Sequence, residues 1–140
     1  MNSDKELKDI LLSARTIASV GLSSNPAKES YGIALYLKEQ GYHIIPVNPT
    51  TPEVFGEKSY PDLESVPEKI DVVQVFRKPE DVPPVVEGAI QAGAKVVWMQ
   101  EGIVNEQAAQ RAREAGIQVV MDACMRAEHR RLVGPRLIKF

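Results

Sequence analysis

The stretch TIASVGLSSNP, residues 16–26, decides the fold class of this chain. Its first five residues are mostly apolar or β-branched, and a glycine with a run of small polar turn residues follows them at once. A short apolar run that ends in such turn residues is typical of a buried strand. Ile33, Ala34 and Leu37 then recur at helical spacing. The stretch therefore predicts a strand, a turn and a helix in succession.

Further apolar runs of about five residues repeat this pattern along the chain. They are rich in Val and Ile and alternate only weakly, as expected for strands buried on both faces of a parallel sheet. Together with the opening run they predict five strands, at residues 16–20, 43–47, 71–76, 95–99 and 118–121.

Stretches with helical spacing separate these runs. A first helix is predicted at about residues 4–15, and three later ones end at Gly41, Gly93 and Gly116, each shortly before a strand. This alternation predicts a Rossmann-like, doubly wound α/β fold of three layers, α/β/α, with a mostly parallel five-stranded sheet. The preferred strand order is 3-2-1-4-5. The proline-rich residues 48–68 predict a long loop with one short helical turn around Leu63.

The totals indicate one domain over residues 1–140. The net charge of −2 gives no electrostatic argument for nucleic acid or an anionic membrane. A single cysteine excludes an internal disulfide, and the acidic N-terminus lacks the apolar core of a signal peptide. We therefore expect a cytoplasmic protein with a small-molecule ligand. Residues 126–140 form a basic and apolar tail, which favours packing on the domain or on a second subunit, as in a homo-oligomer.

Polar, turn-rich segments follow four of the predicted strands. In open α/β sheets the ligand crevice lies outside the carboxyl ends of the strands, here expected between the first and fourth. The first strand is followed by residues 21–31, and the others by shorter segments: Asn48 and Pro49, then Arg77, Lys78 and Pro79, then Gln100, Glu101 and Gly102.

The loop after the first strand has the composition of an anion site. Gly21 allows a sharp turn and close approach of a ligand, Lys28 adds a positive charge, and the following helix directs its first amides at the loop. The alternative is a plain strand-to-helix turn. Ser23 and Pro26 stand where a G-x-G-x-x-G motif has its later glycines, and no P-loop motif is present.

The exit of the second strand argues against a plain NAD site. Such a site places Asp or Glu there to hold the ribose hydroxyls, whereas this chain has Asn48 and Pro49. A neutral exit with Lys28, Arg77 and Lys78 in the neighbouring loops favours a nucleotide whose ribose carries a phosphate.

The order of these short motifs resembles one family over roughly residues 10–132. The segments are VGLSSNP at 20–26, PVNP at 46–49, FRKP at 76–79, WMQ-x-GI at 98–103 and VVMD-x-C at 119–124. Together they resemble the stand-alone CoA-binding-domain proteins, which are similar to the N-terminal domain of the succinyl-CoA synthetase α subunit. The resemblance implies a Rossmann-like fold with coenzyme A lying across the strand ends. The synthetase's catalytic histidine and partner subunit lie outside the resemblance, so ligase activity is not implied.

The resemblance also implies a set of ligand contacts. The first loop would meet the nucleotide and its phosphates, the second exit would border the adenosine, the third would pack on its flank, and the fourth would lie toward the pantetheine. In chain order these residues are Gly21, Ser23, Ser24, Asn25, Pro26, Lys28, Ser30, Tyr31, Val47, Asn48, Pro49, Phe76, Arg77, Pro79, Gln100 and Gly102.

No catalytic or metal-binding set stands out. Cys124 and His129 are five residues apart, a spacing that favours a structural cysteine and a surface or capping histidine over a nucleophile and its base. Glu101 is the one carboxylate to test for chemistry, and its alternative is an acid at a helix N-terminus. His43 is expected at the opposite rim, and two isolated histidines do not make a zinc site.

Three functions remain open at this stage. The first is a non-catalytic protein that binds coenzyme A or an acyl-CoA. The second is an enzyme acting on an acyl-CoA, of thioesterase or transferase type, with Glu101 or Cys124 as the reactive group. The third is a redox sensor that binds NAD(H) or NADP(H).

Overall fold

The computed structural model describes residues 2–135. Within this range the strands are β1 (Thr16–Val20), β2 (His43–Val47), β3 (Glu53–Val54), β4 (Glu57–Lys58), β5 (Val72–Val75), β6 (Val96–Met99) and β7 (Gln118–Val120). The α-helices are α1 (Asp4–Ser13), α2 (Glu29–Glu39), α3 (Val82–Ala92), α4 (Glu106–Glu114) and α5 (Met125–Leu132). A short 3-10 turn, Pro79–Asp81, precedes α3. None of these helices is long and apolar enough to cross a membrane.

The five longer strands form one parallel sheet in the order β2-β1-β5-β6-β7. If these five strands are numbered 1 to 5 along the chain, as in the sequence analysis, their order in the sheet is 2-1-3-4-5. The predicted order 3-2-1-4-5 is therefore wrong. β5 pairs directly with β1, and a hydrogen bond from Phe76 N to Val20 O continues that pairing. The point where the strand order reverses therefore lies between β1 and β5, and β6 is one strand farther away. The five runs are equally apolar, so their sequences carry no signal that separates the two orders.

Alternate residues of the strands enter two separate cores. On one face Ala18, Val73 and Val97 pack with the inner residues of α3 and α4. On the other face Ile17 and Trp98 pack with α1, α2 and α5. This arrangement confirms the predicted three-layer Rossmann-like fold with a parallel five-stranded sheet.

Residues 48–71 connect β2 to β5 without a helix. Strands β3 and β4 form a small antiparallel hairpin that the sequence analysis did not predict. Tyr60 then joins the edge of the sheet, because its amide donates to the Pro46 carbonyl at 3.0 Å and its carbonyl accepts from Asn48 N at 2.8 Å. Around Leu63 the chain makes a turn, closed by a bond from Val66 N to Leu63 O, and not a helical segment. Two-residue strands are too short to show an alternating pattern, so the hairpin has no local signal.

Both ends of the described chain pack on the same face of the sheet. Helix α1 ends at Ser13, two residues before the predicted limit, and begins with a capping box formed by Ser3 and Glu6. Helix α5 covers residues 126–132 of the predicted tail, residues 126–140. It contacts α1 through Arg131, whose guanidinium lies 2.9 Å from the Asp4 carboxylate. Residues 136–140 of the predicted tail lie outside the described residues.

Asp71 joins three strands at their amino ends. Its Oδ2 accepts from the backbone amides of Arg15, at 2.9 Å, and Thr16, at 3.0 Å, and its carbonyl accepts from Val96 N at 3.0 Å. Burial by itself would raise the pKa of this carboxyl. The amides of Thr16 and Arg15, together with Lys95, outweigh that effect and hold the pKa of Asp71 below its usual value.

We expect Asp71→Asn to lower the free energy of unfolding by roughly 1–2 kcal/mol at pH 7, the difference between charged and neutral hydrogen bonds over two amides. Because the folded-state pKa of Asp71 is the lower one, the stabilisation is complete above the unfolded-state pKa, about 3.9. It is lost as the pH falls through the folded-state pKa.

Urea unfolding of both proteins between pH 7 and pH 2.5 measures this difference. The difference in the free energy of unfolding between the wild type and Asp71→Asn should become smaller in the acid part of the range. Asp9→Asn, which removes an exposed carboxylate paired with Lys5, is the matched control and should change stability little. A gap independent of pH would show that the charge of Asp71 does not contribute.

Candidate functional site

Gly21 is the point where the carboxyl ends of three strands meet. Its amide donates to the Val47 carbonyl at 2.8 Å, which ties the exit of β1 to that of β2. Its φ is +90°, and a Cβ built on it would lie 2.5 Å from the carbonyl oxygen of Phe76, just beyond β5. Only a residue without a side chain fits this close approach. The loops after β1 and β5 therefore touch backbone to backbone.

The loop between Gly21 and α2 is shaped by its own short side chains. Ser23 Oγ accepts from Asn25 N at 3.0 Å, and Asn25 Oδ1 accepts from Ala27 N at 2.9 Å. Ser30, in the first turn of α2, accepts from Ser23 N at 3.1 Å. Such side-chain turns fold the chain tightly in front of the helix. These bonds, with one from Lys28 N to Asn25 O, engage most of the loop's amides, so the groups that the loop offers to an anion are the serine hydroxyls and the first amides of α2.

The remaining predicted residues of this loop face solvent. Ser24, Pro26 and Lys28 are exposed, and Lys28 is the N-cap residue of α2 without a capping side-chain bond. Helix α2 has 11 residues, long enough for its first-turn amides to present a partial positive charge. The predicted anion-binding features, a cation and a helix N-terminus, thus lie side by side.

Asn48 braces the loops with both ends of its side-chain amide. Its Nδ2 donates to the Leu22 carbonyl at 3.2 Å, across the gap between β2 and the first loop. Its Oδ1 accepts from the amide of Thr50 at 3.1 Å and from the hydroxyl of the same residue at 2.9 Å. The neutral side chain at this exit therefore positions the loop after β1 while leaving no carboxylate there.

A cleft of about 360 Å³ opens beside the ends of β1 and β2, on the α3 side of the sheet. Its floor contains Val20 and Val47, and Arg77 borders it beyond the end of β5. Three of the predicted site residues, Val47, Pro49 and Arg77, line it. The opposite wall comes from the loop after β4, the 3-10 turn and the first two turns of α3, and consists of Pro61, Asp62, Leu63, Glu64, Asp81, Pro84, Val85 and Gly88.

The cleft combines apolar walls with an uneven set of charges. Asp62, Glu64 and Asp81 supply three carboxylates, and Arg77 supplies the one cation among its lining residues. Arg77 also lies against the first loop, since its Nε would be 3.4 Å from a Cβ on Gly21. The guanidinium therefore stands at the junction between the cleft and the loop that precedes α2.

Tyr31, from the first loop, and the predicted flank residues Phe76 and Pro79 lie outside the cleft lining. The ring of Tyr31 packs against that of Phe55, with centroids 4.9 Å apart, and the ring of Phe76 packs against the same core. Pro79 is exposed, and its carbonyl accepts from Asn105 Nδ2 at 2.9 Å. The rings of Tyr31 and Phe76 and the carbonyl of Pro79 stabilise the rim next to α2, β5 and α4.

Gln100 is buried, with 4% of its surface exposed, and belongs to a polar chain that crosses the core. Ser19 Oγ donates to Gln74 Oε1 at 2.8 Å, and Gln74 Nε2 donates to Gln100 Oε1 at 3.1 Å. The amide of Met125, at the start of α5, donates to the same Gln100 oxygen at 3.1 Å. Because a backbone amide can only donate, it fixes the orientation of both glutamine amides. Gln100 thus anchors α5 to the sheet, a role that its sequence position did not predict.

Gly102 lies at the same edge of the sheet and is exposed. Its amide donates to Asp122 Oδ1 at 2.7 Å, which ties the exit of β6 to that of β7. Neither Gln100 nor Gly102 lines the cleft. The predicted residues thus fall into two groups, one around Gly21 and the cleft and one around the ends of β6 and β7.

The family of the chain follows from its match to known sequences. The profile described as the CoA binding domain matches residues 15–130, most of the chain. The chain belongs to the CoA-binding-domain family. The resemblance seen in the loop motifs is thereby confirmed.

Relatives of this CoA-binding domain include both stand-alone proteins and a large enzyme. The uncharacterized protein YneT of Bacillus subtilis is 42% identical over 127 residues, 91% of this chain and 94% of that protein. A solved structure of a hypothetical protein from Pyrococcus horikoshii OT3 is 43% identical, with a TM-score of 0.92, covering 95% of this chain and 94% of that one. The ADP-forming acetate–CoA ligase II of Archaeoglobus fulgidus is 29% identical over 104 residues, 72% of this chain but 15% of the ligase.

The candidate catalytic residues of the CoA-binding domain do not line the cleft. Glu101 is exposed and precedes α4 by five residues, so its interpretation as a helix N-terminal acid is wrong. Cys124 is half-buried at the N-cap of α5. His129 is buried, with Nδ1 2.9 Å from the Tyr36 hydroxyl oxygen, and not on the surface as expected, because α5 packs against α2. His43 starts β2 at the opposite rim, where its ring lies between two glutamates.

Sequence reasoning missed the outer wall of the cleft. Leu63 and Glu64 lie in a loop whose position depends on contacts with α3, far along the chain. One signal was available in Gly88, because a glycine inside a helix is unfavourable unless something packs closely there. A Cβ on Gly88 would lie 2.8 Å from Glu64 Oε1 and 3.3 Å from Leu63 Cδ1.

Proposed function

We propose that this protein binds coenzyme A, or an acyl-CoA, across the carboxyl ends of β1, β2 and β5, as a binding protein without catalytic activity. The position of Arg77 is the observation that carries the proposal. Its guanidinium borders an apolar cleft on one side and the Gly21 loop on the other. A ligand with an aromatic base next to phosphates needs this combination of surfaces. Membership of the CoA-binding-domain family supports coenzyme A as that ligand.

The parts of the coenzyme are assigned by the chemistry of each surface. The adenosine occupies the cleft, whose 360 Å³ is near the lower end of the roughly 300–1,000 Å³ of ligand pockets. It therefore holds one portion of the coenzyme. The phosphates lie along the loop from Gly21 to Lys28, where the serine hydroxyls, the exposed Lys28 and the start of α2 favour anions. The pantetheine extends toward Gln100 and Gly102.

A binding role is supported by the arrangement of the reactive side chains. The imidazole of His129 is engaged by Tyr36 in the core, and Cys124 contributes to the packing around α5. These contacts favour structural roles for both residues. The one cysteine also suits a reducing compartment, so we propose that the protein acts in the cytoplasm.

A calorimetric titration tests the proposal directly. Coenzyme A should bind with a dissociation constant well below millimolar, and dephospho-CoA, which lacks the ribose phosphate, should bind about tenfold more weakly or worse. NAD should show no saturable binding, and NADP serves as the competitor that carries a phosphorylated ribose on a different nucleotide. Weak binding of coenzyme A together with tight binding of NADP would refute the proposal. Hydrolysis of an acyl-CoA that is lost in Glu101→Gln or Cys124→Ser would refute a purely binding role.

A further inference from the structure

The acidic side of the cleft is unusual for a site that takes an anionic coenzyme. Three of its lining side chains are carboxylates, and one is a guanidinium. Carboxylates repel phosphates, but they are strong acceptors for N–H donors. The cleft therefore favours a part of the ligand that presents N–H donors and has flat faces to pack on its proline and valine walls.

We propose that Glu64 accepts a hydrogen bond from the exocyclic amine of adenine, so that the cleft selects adenine over purines with a carbonyl at that position. The inference rests on the proposed function, because it concerns the base of the coenzyme in the same site. Adenine carries an N–H donor at its sixth position. Hypoxanthine carries an oxygen there, whose lone pairs face those of a carboxylate. The cleft then discriminates between the two bases because Glu64 attracts the amine of adenine and repels the carbonyl oxygen of hypoxanthine.

Glu64 is distinguished from its neighbour Asp62 by what each carboxylate contacts. Asp62 Oδ1 accepts from the amide of Ser65 at 2.9 Å and so closes the turn of the loop. The Glu64 carboxylate instead lies against helix α3, with Oε1 2.8 Å from the position that a Cβ on Gly88 would occupy. Both Glu64 and Gly88 line the cleft. Asp62 shapes the wall, and Glu64 supplies the acceptor.

Gly88 acts as a positioning residue for this acceptor. It is the buried glycine of α3, and any side chain there would occupy the space of the Glu64 carboxylate. Alanine is the better helix former, so Gly88→Ala should keep the helix intact. The flexible end of Glu64 would then have to move, while the charge of the cleft stays the same. This variant separates the position of the carboxylate from its charge.

The test compares coenzyme A with deamino-CoA, in which hypoxanthine replaces adenine, by calorimetry on the full chain. The wild-type protein should bind coenzyme A about 10- to 100-fold more tightly than deamino-CoA. In Glu64→Gln the ratio should fall close to one, because a neutral amide can accept from an amine or donate to a carbonyl. Gly88→Ala should lower the ratio too. Glu80→Gln removes an exposed carboxylate outside the cleft lining, and this variant should keep the wild-type affinity ratio.

The possible outcomes separate this inference from the proposed function. If coenzyme A binds to the wild-type protein but deamino-CoA binds equally well, adenine selection by Glu64 is overturned and the binding function stands. A ratio that persists in Glu64→Gln likewise overturns it. If coenzyme A itself does not bind, both proposals fail. Circular dichroism and urea unfolding of each variant establish that the compared proteins are folded.

Discussion

Gly21→Ala should be the most damaging small substitution in this protein, with a loss of about 2–5 kcal/mol in the free energy of unfolding. Part of the loss, about 1–2 kcal/mol, comes from forcing an L-residue into the left-handed region at φ +90°. The rest, about 1–3 kcal/mol, comes from the overlap of the new Cβ with the Phe76 carbonyl oxygen, 2.5 Å away. That oxygen belongs to the backbone just beyond β5, so it cannot rotate out of the way.

Urea unfolding of Gly21→Ala beside Gly116→Ala isolates the steric part of this effect. Gly116 has a similar φ of +84°, but within the described chain nothing lies within 4 Å of a Cβ built there. It follows α4, at the opposite rim from the cleft. Gly116→Ala should therefore lose only the part that comes from the left-handed backbone, about 1–2 kcal/mol. Equal losses in both variants would show that the loops after β1 and β5 adjust to a side chain, and that their contact is not rigid.

Arg77→Ala should weaken the binding of coenzyme A by about 10- to 150-fold. The estimate follows from the loss of about 1.5–3 kcal/mol for one hydrogen bond to a charged group. Arg77 is half-buried and, among residues 2–135, is the one cation lining the cleft, so solvent replaces it poorly. Lys28→Ala should have a smaller effect, because Lys28 is exposed and its charge is screened by salt. Arg77→Lys should recover part of the affinity, since it keeps the charge and loses the planar fork.

Calorimetry with coenzyme A and dephospho-CoA on the same variants identifies the phosphate that Arg77 contacts. If Arg77 holds the ribose phosphate, Arg77→Ala should bind the two ligands about equally, as a double-mutant cycle would show. Lys78→Ala is the matched control, because Lys78 is the adjacent cation, is exposed and does not line the cleft. Unchanged affinity in Arg77→Ala would place the phosphates elsewhere and remove the main support for the adenosine assignment.

Sequence and structure agree on those features of the candidate site that depend on neighbours along the chain. Gly21 was identified because a glycine between a buried strand and a helix marks a sharp turn, and the structure adds the close contact with Phe76. Lys28 and the first turn of α2 follow from the same local unit. Ligand contacts at Asn48 and Gln100 stay predictions, and the structure adds that their amides bond to Leu22, 26 residues away, and to Gln74, also 26 residues away. No local pattern distinguishes an amide that faces a ligand from one that faces the core.

By itself, the sequence determined the five buried strands, the helices between them and the polar loops at the carboxyl ends, because apolar spacing and turn residues act over a few positions. Only the tertiary structure decided that β5 lies beside β1, that residues 61–64 meet α3 across the cleft, and that the cleft is acidic. These features depend on contacts between residues far apart in the chain. Equally apolar strands pair in more than one order with similar burial, so the choice rests on how the whole chain packs.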